Sequence, residues 1–254
     1  MAVIFKPDGG LGNILFMHNA VYAFAKDHGL ELCAVGNYAT PDIRPAISQY
    51  KTLFKHVTLV DHQPPVNYRE PSFTYSPIPP WARSISGFFQ SYKYFQKYQW
   101  EIRDLLRSNE ADLWSEKLAK FKVLADGRET VCVHIRRTDY VGSQNHPVLD
   151  EKYYSDAVKN FADHRFLIFS DEIEEVKKWE VWDGLDARFV DDEPDPLPTL
   201  FLMSCCANFI IANSTLSLMG YYMRENKNAR IIHPTTWFNP CGPAFNISDL
   251  IDAS

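Results

Sequence analysis

No run of about eighteen apolar residues, the length a membrane-crossing helix needs, occurs in the 254-residue sequence. Its opening, MAVIFKPDGG, reaches Asp8 and a glycine turn before the apolar region of a signal peptide could develop. The expectation is a soluble protein of the cytoplasm with no membrane span. Positive charge is also scarce: 26 Lys and Arg stand against 32 Asp and Glu, a formal net charge of −6. Nucleic acid and anionic membranes demand a basic face, so nucleic acid is excluded as a partner. Any phosphate bound should be small and locally held. The five cysteines, Cys33, Cys132, Cys205, Cys206 and Cys241, are odd in number and form no C-x-x-C. Neither a disulfide framework nor a zinc site follows from them. Asn213 and Asn246 open N-x-[ST] triplets, which carry no glycosylation meaning without a secretory signal. Internal repeats, low-complexity tracts and charge blocks are absent as well.

What the sequence has is material for a core, 46% hydrophobic residues, arranged with alternating periods. A short strand (Val3 to Phe5), a glycine turn and a helix from about Ile14 to Lys26 open the chain; LELCAVG and HVTLVD read as further strands. From His62 to Pro80 six prolines exclude regular structure over most of a long loop. Its irregularity makes it a candidate for ligand contact. Phe88, Tyr92 and Phe95 then recur at helical spacing, favouring core over a ligand-stacking role. The helical patterns EIRDLLRS and ADLWSEKLAKFKVL lead to Glu129.

Beyond Glu129 apolar runs alternate with helical stretches: TVCVHI, helix 151–161, RFLIFSD, helix 173–179, ARFVD, helix 198–206, FIIAN, helix 216–225, RIIHP. That alternation indicates βαβ units around a parallel sheet. The DGR break sets a boundary near Ala125 to Arg128. The organisation expected is an α/β chain with an N-terminal domain over 1–127, a C-terminal doubly wound domain over 128–234, and a tail, 235–254, packing back on the first.

In a doubly wound sheet ligands sit outside the carboxyl ends of the strands. Three strand ends put donors and acceptors there: His134, Arg136, Arg137 and Asp139; Ser170 and Asp171; Asn213, Ser214, Thr215 and Ser217. Two guanidinium groups at a buried edge need carboxylate partners or an anionic ligand. Either they pair with Asp139 or Asp171 in structural bridges, or they clamp a diphosphate whose oxygens match an arginine fork. Ser214 either caps the next helix or joins its N-terminal amides in holding an anion. In PDGGLGN, Gly9, Gly10 and Gly12 make a tight turn or a phosphate-binding turn, and Asn13 stands at the helix start as a possible cap. No Walker lysine follows.

In this order, GGLGN, GFFQSYKYF, HIRRTDY, FSDEIEEVKKW, LFLMSCCANFIIANSTLS and HPTTWF resemble the family-11 glycosyltransferases, the α-1,2-fucosyltransferases. The resemblance implies a GT-B architecture, two Rossmann-like domains facing a cleft, with the N-terminal domain on the acceptor side and GDP-fucose held mainly by the C-terminal one. It implies an inverting, metal-independent enzyme that moves L-fucose to a sugar hydroxyl of an oligosaccharide acceptor, in an α-1,2 linkage to galactose. Arg136 would bind the β-phosphate with His134 nearby, Ser214, Thr215 and Ser217 would hold the diphosphate, and Asn13 would approach from the other domain. Asp139, or else Asp8, is the candidate base. The chain departs from the pattern at Thr199, where related enzymes often carry an acid that reads guanine, with Asp195 just upstream. It departs also at Ile14, where Gln is common, and at Leu218 and Met219 in place of paired tryptophans.

Overall fold

The structure, a computed structural model, describes residues 1–36, 47–240 and 247–251. Cys241 and Asn246 lie outside them. The chain forms two compact units, Met1–Ala111 together with Pro243–Ser254, and Asp112–Gly242.

The first unit is built on a parallel sheet of β1 (Ala2–Phe5), β2 (Glu31–Val35), β3 (Thr58–Val60), β4 (Tyr68–Arg69) and β5 (Ser84–Ser86), in the order β3-β2-β1-β5-β4. Between β1 and β2 runs helix α1 (Leu11–His28). It begins three residues before the expected start because extended Gly10 serves as its N-cap. Leu11, Leu15, Phe16, Val21 and Phe24 are all buried, so the helix hides most of its circumference and not one stripe. Gly29, at φ 61°, ends it by donating its N–H to the last-turn carbonyls of Ala25 and Lys26. Helix α2 (Gln99–Asn109) follows the sheet. The aromatic stretch before α2 is not the helix its spacing suggests. Tyr92–Tyr94 and Gln96–Tyr98 are single 3₁₀ turns, and the chain leaves β5 through Gly87 at φ 151° and Phe89 at φ 50°. Phe89 and Phe95 are core residues, but Phe88 is only half-buried.

The second unit starts with α3 (Ala111–Ala125). It continues as β6 (Thr130–Ile135), α4 (Glu151–Val158), β7 (Arg165–Ser170), α5 (Ile173–Val176), β8 (Ala187–Phe189), α6 (Pro196–Ser204), β9 (Asn208–Ile210), α7 (Thr215–Tyr222) and β10 (Ile231–Ile232). All its strands are parallel, in the order β10-β9-β6-β7-β8. Central β6 pairs residue for residue with β7, from Thr130↔Arg165 to Ile135↔Ser170. Every residue of β6 is buried, as a strand covered on both faces must be. Val131, Val133 and Ile135 pack with Tyr154, Phe161, Ile168 and Trp182, which sends Cys132 and His134 to the opposite face.

The division between units falls after Ala111 and not near 127, because α3 packs on the second sheet. Trp114 meets Phe201 edge-on at 5.5 Å, Lys117 and Lys120 both reach Glu193 Oε1 at 2.7 Å, and Arg165 donates to the carbonyls of Leu124 and Ala125. The tail divides too. The carbonyl of Trp237 accepts from Asn213, and Asn239 donates to the carbonyls of Ser143 and Gln144, which keeps 235–240 in the second unit. A short helix, Ile247–Leu250, belongs to the first, where Asp249 pairs with Lys93 and its carbonyl accepts from Ser91. No helix of the described residues is long and apolar enough to cross a membrane.

Candidate active site

Strand order in the second sheet reverses between β6 and β9, and at such a switch point the loops from the two carboxyl ends part and leave room for a ligand. Arg136 leaves β6 with its guanidinium held by Asp139 Oδ1 at 2.7 Å and Asp171 Oδ2 at 2.9 Å. Arg137 turns the other way, its Nε on Glu172 Oε2 at 2.7 Å and its guanidinium 5.8 Å from the Trp179 ring centre. The adjacent arginines therefore divide: both hold carboxylates, and each holds different ones. Asp171 also accepts from the Arg137 backbone N–H at 2.9 Å and from the Thr138 hydroxyl, which fixes the start of the loop. Ser170 Oγ accepts from the Glu172 N–H at 3.1 Å and so helps turn the chain after β7.

His134, on the covered face of β6, is 5% exposed, and its Nδ1 is buried without a hydrogen-bond partner. Burial first, and the Arg136 charge second, hold its imidazole near a pKa of about 4, so it is neutral at pH 7. Across the switch point Asn213 is 1% exposed and commits its amide N–H groups to the carbonyls of Pro147 and Trp237. It is a strut for two loops, not a donor aimed outward. Ser217 likewise bonds the carbonyl of Ser214 at 3.1 Å and is fully buried. Ser214, the N-cap of α7, makes no side-chain cap hydrogen bond, and half-buried Thr215 opens the helix. The first amides of α7 thus keep their capacity for an acceptor. Tyr140 ties the two loops together. Its hydroxyl donates to the carbonyl of Asn213 at 3.0 Å, its ring stacks on His146, and the Arg136 guanidinium lies 5.8 Å from its centre. Sequence reasoning passed over this tyrosine although it ends HIRRTDY.

The first unit carries its own switch point between β1 and β5. There Asp8 Oδ1 accepts from the Gly9 N–H at 2.7 Å. Gly9 has φ +78°, and a Cβ on it would come within 2.4 Å of Asn13 Nδ2, so only glycine fits. Gly10 has open space about its Cα, while Gly12 is buried in α1. Asn13 does not cap α1; its Oδ1 accepts from Gln90 Nε2 at 2.9 Å. Gly10, Gly12 and Asn13 belong to this unit, and the remaining predicted residues come together in the other.

The family model of glycosyl transferase family 11 matches residues 66–240, which include both exits of the second sheet's switch point but not the glycine turn. The chain belongs to this family. It is 30% identical over 163 residues to an alpha-1,2-colitosyltransferase of Escherichia coli, and 28% over 169 residues to the O-antigen biosynthesis glycosyltransferase WbnK of the same organism. These alignments take in 60% and 61% of this chain and 55% of each relative, so the chain spans about half the length of the curated relatives it matches. Among solved structures it resembles the fucosyltransferase NodZ from Bradyrhizobium, with a TM-score of 0.58 at 11% identity over 94% of this chain and 98% of that one. It also resembles POFUT1 in complex with GDP-fucose, with a TM-score of 0.52 at 14% identity over 92% and 98%. At such identities the likeness shows the fold, which is that of the GT-B fucosyltransferases: two Rossmann-like parallel sheets. This family-11 glycosyltransferase also holds a cleft of about 790 Å³ within its first unit, lined by Glu70, Phe73 and Phe88 among others. Nothing in YREPSF marks Glu70 as special, since the groups against it, the Phe89 N–H and the Tyr94 hydroxyl, come from a later stretch of the chain.

Proposed function

We propose that this enzyme transfers L-fucose from GDP-fucose to a hydroxyl of an oligosaccharide, with inversion, forming an α-1,2 linkage to galactose. The observation that carries the reading is the convergence, at one switch point, of Arg136 with the uncapped start of α7 and the unpartnered Nδ1 of His134. A diphosphate suits that set, since guanidinium and helix amides both favour anions. Arg136 is about one-third exposed and Asp139 is 62% exposed, so the guanidinium can exchange Asp139 for a phosphate oxygen while Asp171 keeps it oriented.

In the transfer, the bond from the anomeric carbon to the diphosphate oxygen breaks and its electron pair goes to the leaving group. Arg136 stabilises the charge that grows there, with Ser214, Thr215 and the α7 amides holding the second phosphate. The acceptor hydroxyl attacks from the opposite face and loses its proton. Asp139, released from Arg136, is the nearest carboxylate of the motif to receive it. The charge is supplied by arginine, so EDTA should leave the rate unchanged. Thr199 is spent on the carbonyls of Glu193 and Asp195, which leaves exposed Asp195 to read guanine.

A second reading keeps the fold and site but changes the sugar, because one relative is named for transferring colitose. Thermal shifts with GDP and UDP, followed by incubation with GDP-fucose and galactose-ending oligosaccharides, test the proposal. Stabilisation by GDP and a product fucosylated at a 2-hydroxyl are expected; stabilisation by UDP alone would sink it.

A further inference from the structure

The cleft of the first unit opens at the carboxyl ends of β1, β4 and β5, again beside a switch point. Its most unusual member is Glu70. Glu70 Oε2 accepts from the Phe89 N–H at 2.7 Å, and Oε1 accepts from the Tyr94 hydroxyl at 3.2 Å. Burial pushes its carboxyl up to about 7. The backbone opposite is bent twice to make this contact. Gly87 has φ +151°, where a Cβ would fall 2.4 Å from that of Glu70, and Phe89, a bulky residue, has φ +50°. Glycine adopts such an angle freely, whereas Phe89 keeps its positive φ only because the surroundings impose it. The result is that Phe89 is buried while Phe88, between the two bends, lines the cleft. Phe88 stacks on Phe73, 14° between planes and 5.9 Å between centroids, so the wall carries an aromatic face.

Lys6 and Arg69 share the lining with Asp8 and Glu70, so charge of neither sign dominates it. An aromatic wall with hydrogen-bonding groups at its edge and no excess charge suits an uncharged sugar ring, whose C–H face stacks and whose hydroxyls need acceptors. We propose that this cleft binds the acceptor saccharide as a neutral sugar, one ring against Phe73 and Phe88 and one hydroxyl donating to Glu70. The proposal rests on the glycosyltransferase reading and specifies where its second substrate sits.

Saturation-transfer NMR on the full chain, with lactose and 3′-sialyllactose as probes, tests it. In Glu70→Gln an oxygen remains for the Phe89 N–H, and Phe88→Leu keeps an apolar side chain. Lactose is expected to bind, and each variant to weaken it about tenfold, the effect of losing one hydrogen bond to a charged group or one stacking face. In transfer assays the acceptor KM should rise by the same factor with the donor KM unchanged. Both variants should still be stabilised by GDP as the wild type is. Preference for 3′-sialyllactose, or lactose affinity unchanged in both variants, overturns the proposal. Wild-type protein that GDP stabilises but that gives no lactose signal overturns the cleft assignment and leaves the donor reading standing. Failure of GDP to stabilise the wild type overturns the donor reading itself.

Discussion

Arg136 and Arg137 are neighbours in sequence with opposite assignments. Arg136 faces the switch point between two carboxylates, whereas Arg137 is spent on Glu172 and Trp179. Arg136→Ala should lower kcat by about 10²- to 10³-fold, the usual effect of removing one donor to developing charge. Its partly exposed ion pairs contribute no more than about 1 kcal/mol, so the variant should remain folded by circular dichroism. Arg137→Ala should retain most of the activity; equal loss in both variants would remove the distinction. The H-x-R-R-x-D element made this pair visible in the sequence, but which arginine faced which carboxylate was not, because the choice depends on side chains from β7 and the turn after it. Glu70 was invisible for a related reason. Its neighbours are supplied by β5 and two bent residues whose conformation no periodicity reveals.

Among the elements, the strands of the second sheet were the most legible. TVCVHI and RFLIFS are apolar over most of their length because helices cover both faces, and the structure places β6 and β7 there. Helices shifted by a few residues: α6 starts at Pro196 and not 198, since proline suits the first turn. β4 and β5, of two and three residues, are too short to show a pattern. The start of α7 gives a test at this scale. Because Ser214 makes no cap hydrogen bond, Ser214→Ala should cost well below the roughly 1 kcal/mol of an ordinary cap. The same change should weaken GDP binding measured by calorimetry. Gly9→Ala, by contrast, should lower the melting temperature, since both its φ and the Asn13 amide oppose a side chain.

Over the whole molecule, the buried histidines make stability depend on pH. His18 is fully buried and held near 3, chiefly by desolvation and then by His56; its Nε2 lies 2.8 Å from His56 Nε2. His56 is held near 4, also by burial, as is His134 in the other unit. In the unfolded chain each protonates near 6.5, so between about pH 6.5 and 4 the unfolded state binds more protons and stability falls as pH falls. Each fully buried histidine contributes up to about 1.4 kcal/mol per pH unit in that window. Glu70 acts in the opposite sense, binding its proton in the folded state below about pH 7, but it is one group against three. Urea midpoints should therefore decline from pH 6.5 to 5, and His18→Asn should flatten that decline.

The division of the chain also bears on the order in which it can be completed. The second unit is one continuous stretch, whereas the first incorporates residues that follow Gly242, through the contacts of Asp249 with Ser91, Lys93 and the Tyr75 backbone. On a ribosome the stretch made first must therefore wait, lacking its last piece, while the middle of the chain emerges and folds. That reverses the usual N-to-C succession of domains. A chain stopped at Gly242 should leave the second unit protected from protease and the first one cut, which limited proteolysis with N-terminal sequencing would show.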